Sequence, residues 1–237
     1  MFKQLIYKNV GIFTPLLRDF YLLAITFLLF SSFFLGYVYL EKQIDAHNIS
    51  RDRAMQQVDE LRQSSDDLTR MARSYVITLN PMYQKHYAEV LSIRDGLSPR
   101  PLNYNNVYWD LVGEDDIRPR NYSNEFSAME EKFKQVGIQE TERIKLEEAK
   151  HNSDTLALIE KKAMVLAPVH QSEAITMLYD EIYNKAKADI MKPVGEFVQM
   201  VDERTKRDVE EATIIALVAR IVFIVLGLLA LFGLLHR

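Results

Sequence analysis

Two long apolar runs constrain this chain more than any other feature of its 237 residues. Residues 20–40 contain no charged side chain, and residues 214–235 contain only Arg220. A helix of about 20 apolar residues is long enough to cross the ~30 Å hydrocarbon core of a bilayer. We therefore predict two transmembrane helices, the first too long for a cleaved signal-peptide core. We expect the Arg220 side chain to extend toward the membrane interface.

Two spans place both chain ends on one side of the membrane and residues 41–213 on the other. We expect residues 1–19 and 236–237 in the cytoplasm and the middle segment outside it. Lys and Arg near the two ends of the first span are equal in number, so local charge alone does not fix this orientation.

Helical periodicity continues from the first span into the middle segment. Apolar or small residues recur from Ala54 to Leu79 in alternating steps of three and four, which is the pattern of a heptad seam. Asn80 and Pro81 then predict the N-cap and first turn of a second helix, and Gly96 a helix end.

Further helices are predicted later in the middle segment. We expect them over about 141–166 and 172–191, with Pro193 restarting or kinking the chain before the second span. No stretch shows the alternation of a β-strand. The predicted fold class is all-α, an elongated antiparallel bundle of the four-helix type flanked by the two transmembrane helices.

An irregular, aromatic-rich insertion is predicted at about residues 82–136. Its segment 97–122 contains three of the seven prolines and the only tryptophan. Loops of this length are usually functional or disordered, and the aromatic content argues against disorder. We expect the insertion to fold back against the tip of the first helix.

Arginines distinguish the helix that precedes the insertion. Arg70 and Arg73 lie opposite the apolar seam in helical phase, and Asp66 has the i,i+4 spacing of an ion pair with Arg70. Two interpretations remain open: a solvated face, or a pocket in which arginines bind a carboxylate or phosphate beneath the insertion. The candidate ligand-binding residues are Arg70, Arg73, Thr78, Asn80, Tyr83, Tyr108 and Trp109.

Sequence motifs of enzymes and metal sites are not found. The chain has no cysteine, which excludes thiol nucleophiles and thiolate ligands. It also lacks a glycine-rich phosphate loop, a G-x-S-x-G elbow and H-E-x-x-H. Glu148 and His151 form one E-x-x-H pattern, whereas a di-metal site in a helix bundle needs two. We therefore expect no enzymatic activity, metal or cofactor in these residues.

Six motifs follow one another within roughly residues 41–212: SSDDLTRMARSYVIT, NPMYQKHYAEVLSIRDG, PRPLNY, VYWDLV, AKHNSDTL and YNKAKADIMKPVGEFVQMVDERT. In this order they resemble the extracytoplasmic sensing region of bacterial membrane receptors. Similar segments precede sensor histidine kinases of two-component systems, diguanylate cyclases and methyl-accepting chemotaxis receptors. In related chemoreceptor bundles, arginines on the first and last periplasmic helices hold a ligand carboxylate, and Arg70 and Arg73 match the first of these helices.

This resemblance implies a two-pass sensory input module of the bacterial inner membrane that acts as a homodimer. Its expected partners are the lipid bilayer, a small periplasmic anion or binding protein, and a downstream signalling domain, but not nucleic acid. The residues up to Arg237 include no kinase, cyclase or chemotaxis domain, so we expect the output in a continuation of the chain or in a partner. The alternative is a non-sensory, membrane-anchored scaffold of coiled helices.

Overall fold

The computed structural model describes residues 2–104, 107–113 and 115–235. About 80% of the chain is helical, and the described residues form no strand, which confirms the predicted all-α class. Six helices follow one another in the described part of the chain: α1 (Phe2–Thr78), α2 (Pro81–Arg94), α3 (Met129–Gln135), α4 (Glu140–Leu166), α5 (Gln171–Tyr179) and α6 (Glu181–Leu235).

The boundary between α1 and α2 follows the local sequence signals. Leu79 leaves the helical conformation at a φ of 55°, and the Asn80 side chain accepts a hydrogen bond from the Met82 backbone N–H at 3.0 Å. Pro81 occupies the first helical turn, where its missing N–H leaves no helical hydrogen bond unmade. At the other end of α2, Gly96 adopts a φ of 73°, which glycine tolerates better than other residues.

The structure does not interrupt the chain at Pro193, where the sequence predicts a restart or kink. Helix α6 runs through Pro193 without a break, and the chain is instead interrupted at Asp180, between α5 and α6. The Asp180 carboxylate accepts a hydrogen bond from the Tyr183 backbone N–H at 2.7 Å and so caps α6. Val194 and Phe197 are buried directly after the proline, and we attribute the continuity of the helix to this packing.

The chain divides into two compact units, and α1 and α6 each contribute to both. The first unit comprises residues 1–48 and 206–237. In its described part, the rings of Phe30 and Phe223 pack with their centroids 4.4 Å apart. The Arg220 Nη2 donates a hydrogen bond to the Tyr37 hydroxyl at 2.9 Å and lies 3.8 Å from a Glu41 carboxylate oxygen. Both α1 and α6 contain a stretch long and apolar enough to cross a membrane.

The second unit comprises residues 49–205 and contains two hydrophobic clusters. One cluster centres on Trp109 and the end of α1, whereas the other packs Phe133 of α3 and Phe197 of α6 against the middle of α1. The heptad seam predicted for α1 is buried at Ala54, Val58, Leu61, Leu68, Ala72 and Tyr75. Leu79, the last predicted seam residue, is 39% exposed because α1 has ended before it.

The segment between α2 and α3 is the irregular part of the second unit. Pro101 and Tyr122 form an isolated antiparallel bridge within it. Arg100 extends this pairing, since its backbone N–H donates to the Glu125 carbonyl at 2.9 Å and its carbonyl accepts from the Ser123 N–H at 2.8 Å. These backbone hydrogen bonds hold two extended stretches of the loop side by side without forming a sheet.

Candidate anion-binding site

Helix α1 presents a narrow polar strip near its C-terminal end. Asp67, Thr69 and Met71 are buried there, so burial extends well beyond the predicted seam. Arg70 and Arg73, which lie one turn apart on this strip, keep intermediate exposure. The two arginines are therefore neither fully solvated nor enclosed in the core.

Arg73 is fixed by a backbone carbonyl and by aromatic rings. Its Nε and Nη2 both donate to the Leu178 carbonyl, at 3.1 and 2.8 Å. Its guanidinium carbon lies 4.3 Å from the centroid of the Tyr179 ring and 5.1 Å from that of Tyr183. Among the described residues no carboxylate forms an ion pair with Arg73. A half-buried cation without a counter-charge attracts an anion more strongly than a paired one does.

Arg70 has carboxylates on two sides. Its Nη2 donates to Asp67 Oδ1 at 2.8 Å, and its Nη1 lies 2.8 Å from Asp110 Oδ1 in the insertion. The i,i+4 pair expected between Asp66 and Arg70 is replaced by these contacts, because Asp66 pairs with Arg62 at 3.4 Å and with Lys187 at 2.9 Å. The insertion thus reaches the charged strip through Asp110, the residue after Trp109.

An open depression of about 380 Å³ lies beside these arginines. Its wall on α1 includes Thr69 and Ser74 as well as the two arginines, and Tyr179 and Lys187 form the opposite side. Three cationic side chains and one carboxylate, Asp66, therefore face a single depression. Hydroxyl groups and an aromatic ring complete a lining that suits a small anion.

The remaining candidate residues lie outside this depression. The Thr78 hydroxyl donates to the Ser74 carbonyl at 2.7 Å, and Asn80 caps α2, so both polar groups serve the helix ends. Tyr83 packs, partly buried, against the hydrophobic cluster around Trp109. The structure thus brings together Arg70 and Arg73, whereas Thr78, Asn80 and Tyr83 line other surfaces.

Tyr108 and Trp109 belong to a buried aromatic group. Both are at most 1% exposed, and their rings meet edge to face with centroids 5.2 Å apart. The Trp109 Nε1 donates to the Tyr104 hydroxyl at 2.9 Å, and the His86 ring lies 5.1 Å from the Trp109 ring. Trp109 therefore anchors the insertion in the core and places the adjacent Asp110 beside Arg70.

Asp67, a buried partner of Arg70 outside the lining of the depression, is a residue that the sequence pattern did not single out. Burial raises the pKa of its carboxyl from 3.8 to about 6, although the hydrogen bond and positive charge of Arg70 act in the opposite direction. Lys187 and Tyr179 were also missed, because more than a hundred residues separate them from Arg73 and no local spacing links the two segments.

A second buried carboxylate lies in the same unit. Glu160 of α4 is 1% exposed and accepts hydrogen bonds from Tyr183 at 2.6 Å, Tyr87 at 3.0 Å and Thr69 at 3.1 Å. Burial raises the pKa of Glu160, and the three hydroxyl donors partly offset that effect. Since Thr69 also lines the depression, this network links the candidate site to α2, α4 and α6.

Comparison of the chain with protein-family models, curated proteins and solved structures finds no match. Within the described residues, no group of three or more His, Asp or Glu side chains is placed to hold a metal ion. The functional assignment therefore depends on the arrangement of the residues themselves.

Proposed function

We propose that the chain is the transmembrane sensory input module of a bacterial signal-transduction receptor. In this proposal α1 and α6 cross the inner membrane and residues 41–213 lie in the periplasm. The periplasmic helices form an antiparallel four-helix-type bundle with the aromatic insertion at its distal end, and two copies form a homodimer. The two apolar stretches and the all-helical fold support this arrangement.

The observation that carries the proposal is the unpaired positive charge of Arg73 beside the depression. The Nε and Nη2 atoms of Arg73 both donate to the Leu178 carbonyl, whereas Arg73 Nη1 makes no hydrogen bond within the described residues. Arg70 and Lys187 line the same depression, but Arg70 pairs with Asp67 and Asp110 and Lys187 pairs with Asp66, so among the described residues Arg73 is the lining cation without a carboxylate partner. A small carboxylate or phosphate is the ligand class that this combination favours.

The helices that line the depression are the ones through which a bound ligand would transmit its signal. The depression lies between α1 and the start of α6, and each helix continues into its apolar stretch without interruption. An anion that draws Lys187 toward Arg73 would favour one packing of these helices over another. Helix shifts of about 1–2 Å are the usual size of such changes at interfaces. The shift of α6 would then reach an output domain or partner in the cytoplasm.

The test uses the full chain in detergent or nanodiscs and a panel of acetate, succinate, citrate and inorganic phosphate. Binding is measured by titration calorimetry at low and at physiological salt. We expect at least one of these anions to bind, with affinity falling as salt rises and dropping about tenfold or more in Arg73→Gln.

Arg53→Ala is the matched control, because Arg53 is exposed on α1 but outside the depression. It should leave binding unchanged. Thermal unfolding followed through Trp109 shows whether Arg73→Gln keeps the fold without the Arg73 contacts. Failure of every anion to bind would reject the ligand site and favour the scaffold alternative.

A further inference from the structure

An apolar groove lies between α1 and α6 in the first unit. Its volume is about 370 Å³, and it is open along one side, since the lining residues Phe34 and Ile224 are 58% and 52% exposed. Pockets for small organic ligands range from about 300 to 1,000 Å³, so the groove is large enough for part of one. The other residues that line it are Phe33, Tyr37, Ala219, Arg220 and Phe223.

One end of the groove carries a cation and a carboxylate. The Arg220 Nη2 donates to the Tyr37 hydroxyl at 2.9 Å. That hydroxyl donates to Glu41 Oε1 at 2.5 Å, while Arg220 Nη2 lies 3.8 Å from the same oxygen. Charge-assisted hydrogen bonds between nitrogen and oxygen are about 2.7–2.9 Å long, so Arg220 and Glu41 do not form one with each other. Their side chains are 54% and 48% exposed, and both can therefore contact a bound molecule.

The position of these charges along the helices indicates what the groove faces. Arg220 is the only charged residue in the apolar run 214–235, and Glu41 directly follows the run 20–40. When α1 and α6 cross the bilayer, the charged end lies near the boundary between the hydrocarbon core and the lipid headgroups. The aromatic part then lies deeper, where acyl chains surround the protein. A phospholipid presents a charged and an apolar part in the same order.

We propose that the groove binds one phospholipid with a primary ammonium headgroup, the phosphatidylethanolamine class. The proposal rests on the transmembrane arrangement of the proposed function. The lipid phosphate accepts hydrogen bonds from the Arg220 guanidinium, the ammonium donates to the Glu41 carboxylate, and one acyl chain occupies the aromatic groove. Charge complementarity selects this headgroup. A purely anionic headgroup would leave Glu41 facing a negative charge, and a quaternary ammonium has no N–H to donate.

The test is native mass spectrometry of the full chain in detergent, with phosphatidylethanolamine, phosphatidylglycerol or phosphatidylcholine added at equal concentration and with matched acyl chains. We expect phosphatidylethanolamine to bind about fivefold or more tightly than either of the other two. Glu41→Gln removes the negative charge that attracts the ammonium and should reduce the preference over phosphatidylcholine to about twofold or less. Glu211→Gln, exposed on α6 and outside the groove, is the matched control and should leave the preference unchanged.

Ala219→Phe provides a second variant, because it fills the groove without changing its charges. It should weaken the binding of phosphatidylethanolamine about fivefold or more. Leu229→Phe, at a side chain 63% exposed on α6 and outside the groove, is its control and should leave binding unchanged. Circular dichroism of each variant shows whether the helices are retained.

Equal binding of the three lipids by the wild-type chain would overturn the proposal, as would a preference for phosphatidylglycerol, which needs only Arg220. A dimer that Ala219→Phe dissociates with no change in lipid binding would also overturn it, because a second copy of the chain would then occupy the groove. Carbonate extraction of membranes distinguishes failure of this site from failure of the proposed function. A chain released by carbonate would contradict both, whereas a chain that stays in the membrane without a headgroup preference would contradict only the lipid site.

Discussion

Because the carboxyl of Asp67 is buried, we predict that its contribution to the stability of the second unit falls as pH rises from about 4 to 6. Burial raises the pKa of Asp67 from 3.8 to about 6, so the folded state holds a proton that the unfolded chain has already released. The contribution of Asp67 to stability is then greatest below pH 4 and is lost as pH increases through 6. A difference of about 2 pKa units corresponds to about 3 kcal/mol, at 1.36 kcal/mol per unit.

Asp67→Asn removes this titration, because an amide does not ionise. The Asp67 side chain is only 9% exposed, so solvent screening does not greatly reduce the effect. Because the full 3 kcal/mol develops only from well below pH 4 to well above pH 6, we expect the free energy of unfolding of wild type to fall about 2 kcal/mol more than that of Asp67→Asn between pH 4 and 6. The difference between the two proteins isolates Asp67 from the buried Glu160, which titrates in the same direction in both.

The assay is urea unfolding of the full chain in detergent at pH 4, 5 and 6, followed by the fluorescence of Trp109. Trp109 is the only tryptophan and is 1% exposed, so its emission reports on the core of the second unit. Asp52→Asn, at a side chain 71% exposed, controls for the loss of one negative charge. Parallel pH profiles for wild type and Asp67→Asn, within about 1 kcal/mol, would refute the reasoning.

Three further substitutions test the packing of the second unit. Gly96→Ala should destabilise the unit by at least about 2 kcal/mol, because its φ is 73° and an added Cβ would lie 2.6 Å from the Ala128 backbone nitrogen. Gly137→Ala, at a φ of 70° with open space, should cost only about 1 kcal/mol, and equal losses in urea unfolding would contradict this account. Tyr87→Phe should lower stability by about 1–2 kcal/mol and raise the pKa of Glu160 further, since one donor to its carboxylate is lost. A loss that does not grow as pH rises above the ordinary glutamate range would contradict the second part.

Local sequence signals predicted the helices and several of their ends. The heptad seam from Ala54 to Tyr75 is buried, and Asn80 and Pro81 begin α2 as expected. Helical phase also placed Arg70 and Arg73 together. These features depend on residues within a few turns of each other, which is the range over which helix periodicity and capping act.

The parts that the sequence did not predict depend on contacts between distant segments. Asp67 is buried, and its partner Arg70 also contacts Asp110 of the irregular segment, although the position of Asp67 in the helix gives no sign of either. Leu178 and Lys187 reach the arginine strip only through the turn at Asp180. Pro193 predicted an interruption or kink of the helix, yet α6 continues through this residue. Helix periodicity and capping concern only residues within a few turns, so they do not predict these tertiary contacts.

The central claim is that an anion at Arg73 changes the packing of α6 and so carries a signal along it. The chain has no native cysteine, so Glu211→Cys, at an exposed position of α6, accepts a single fluorinated label for ¹⁹F NMR. The measurement compares spectra of the full chain in nanodiscs with and without the anion that binds best. The account predicts a shift between two signal populations at saturation, and loss of this response in Arg73→Gln. Saturating anion that binds without changing the ¹⁹F spectrum would contradict it.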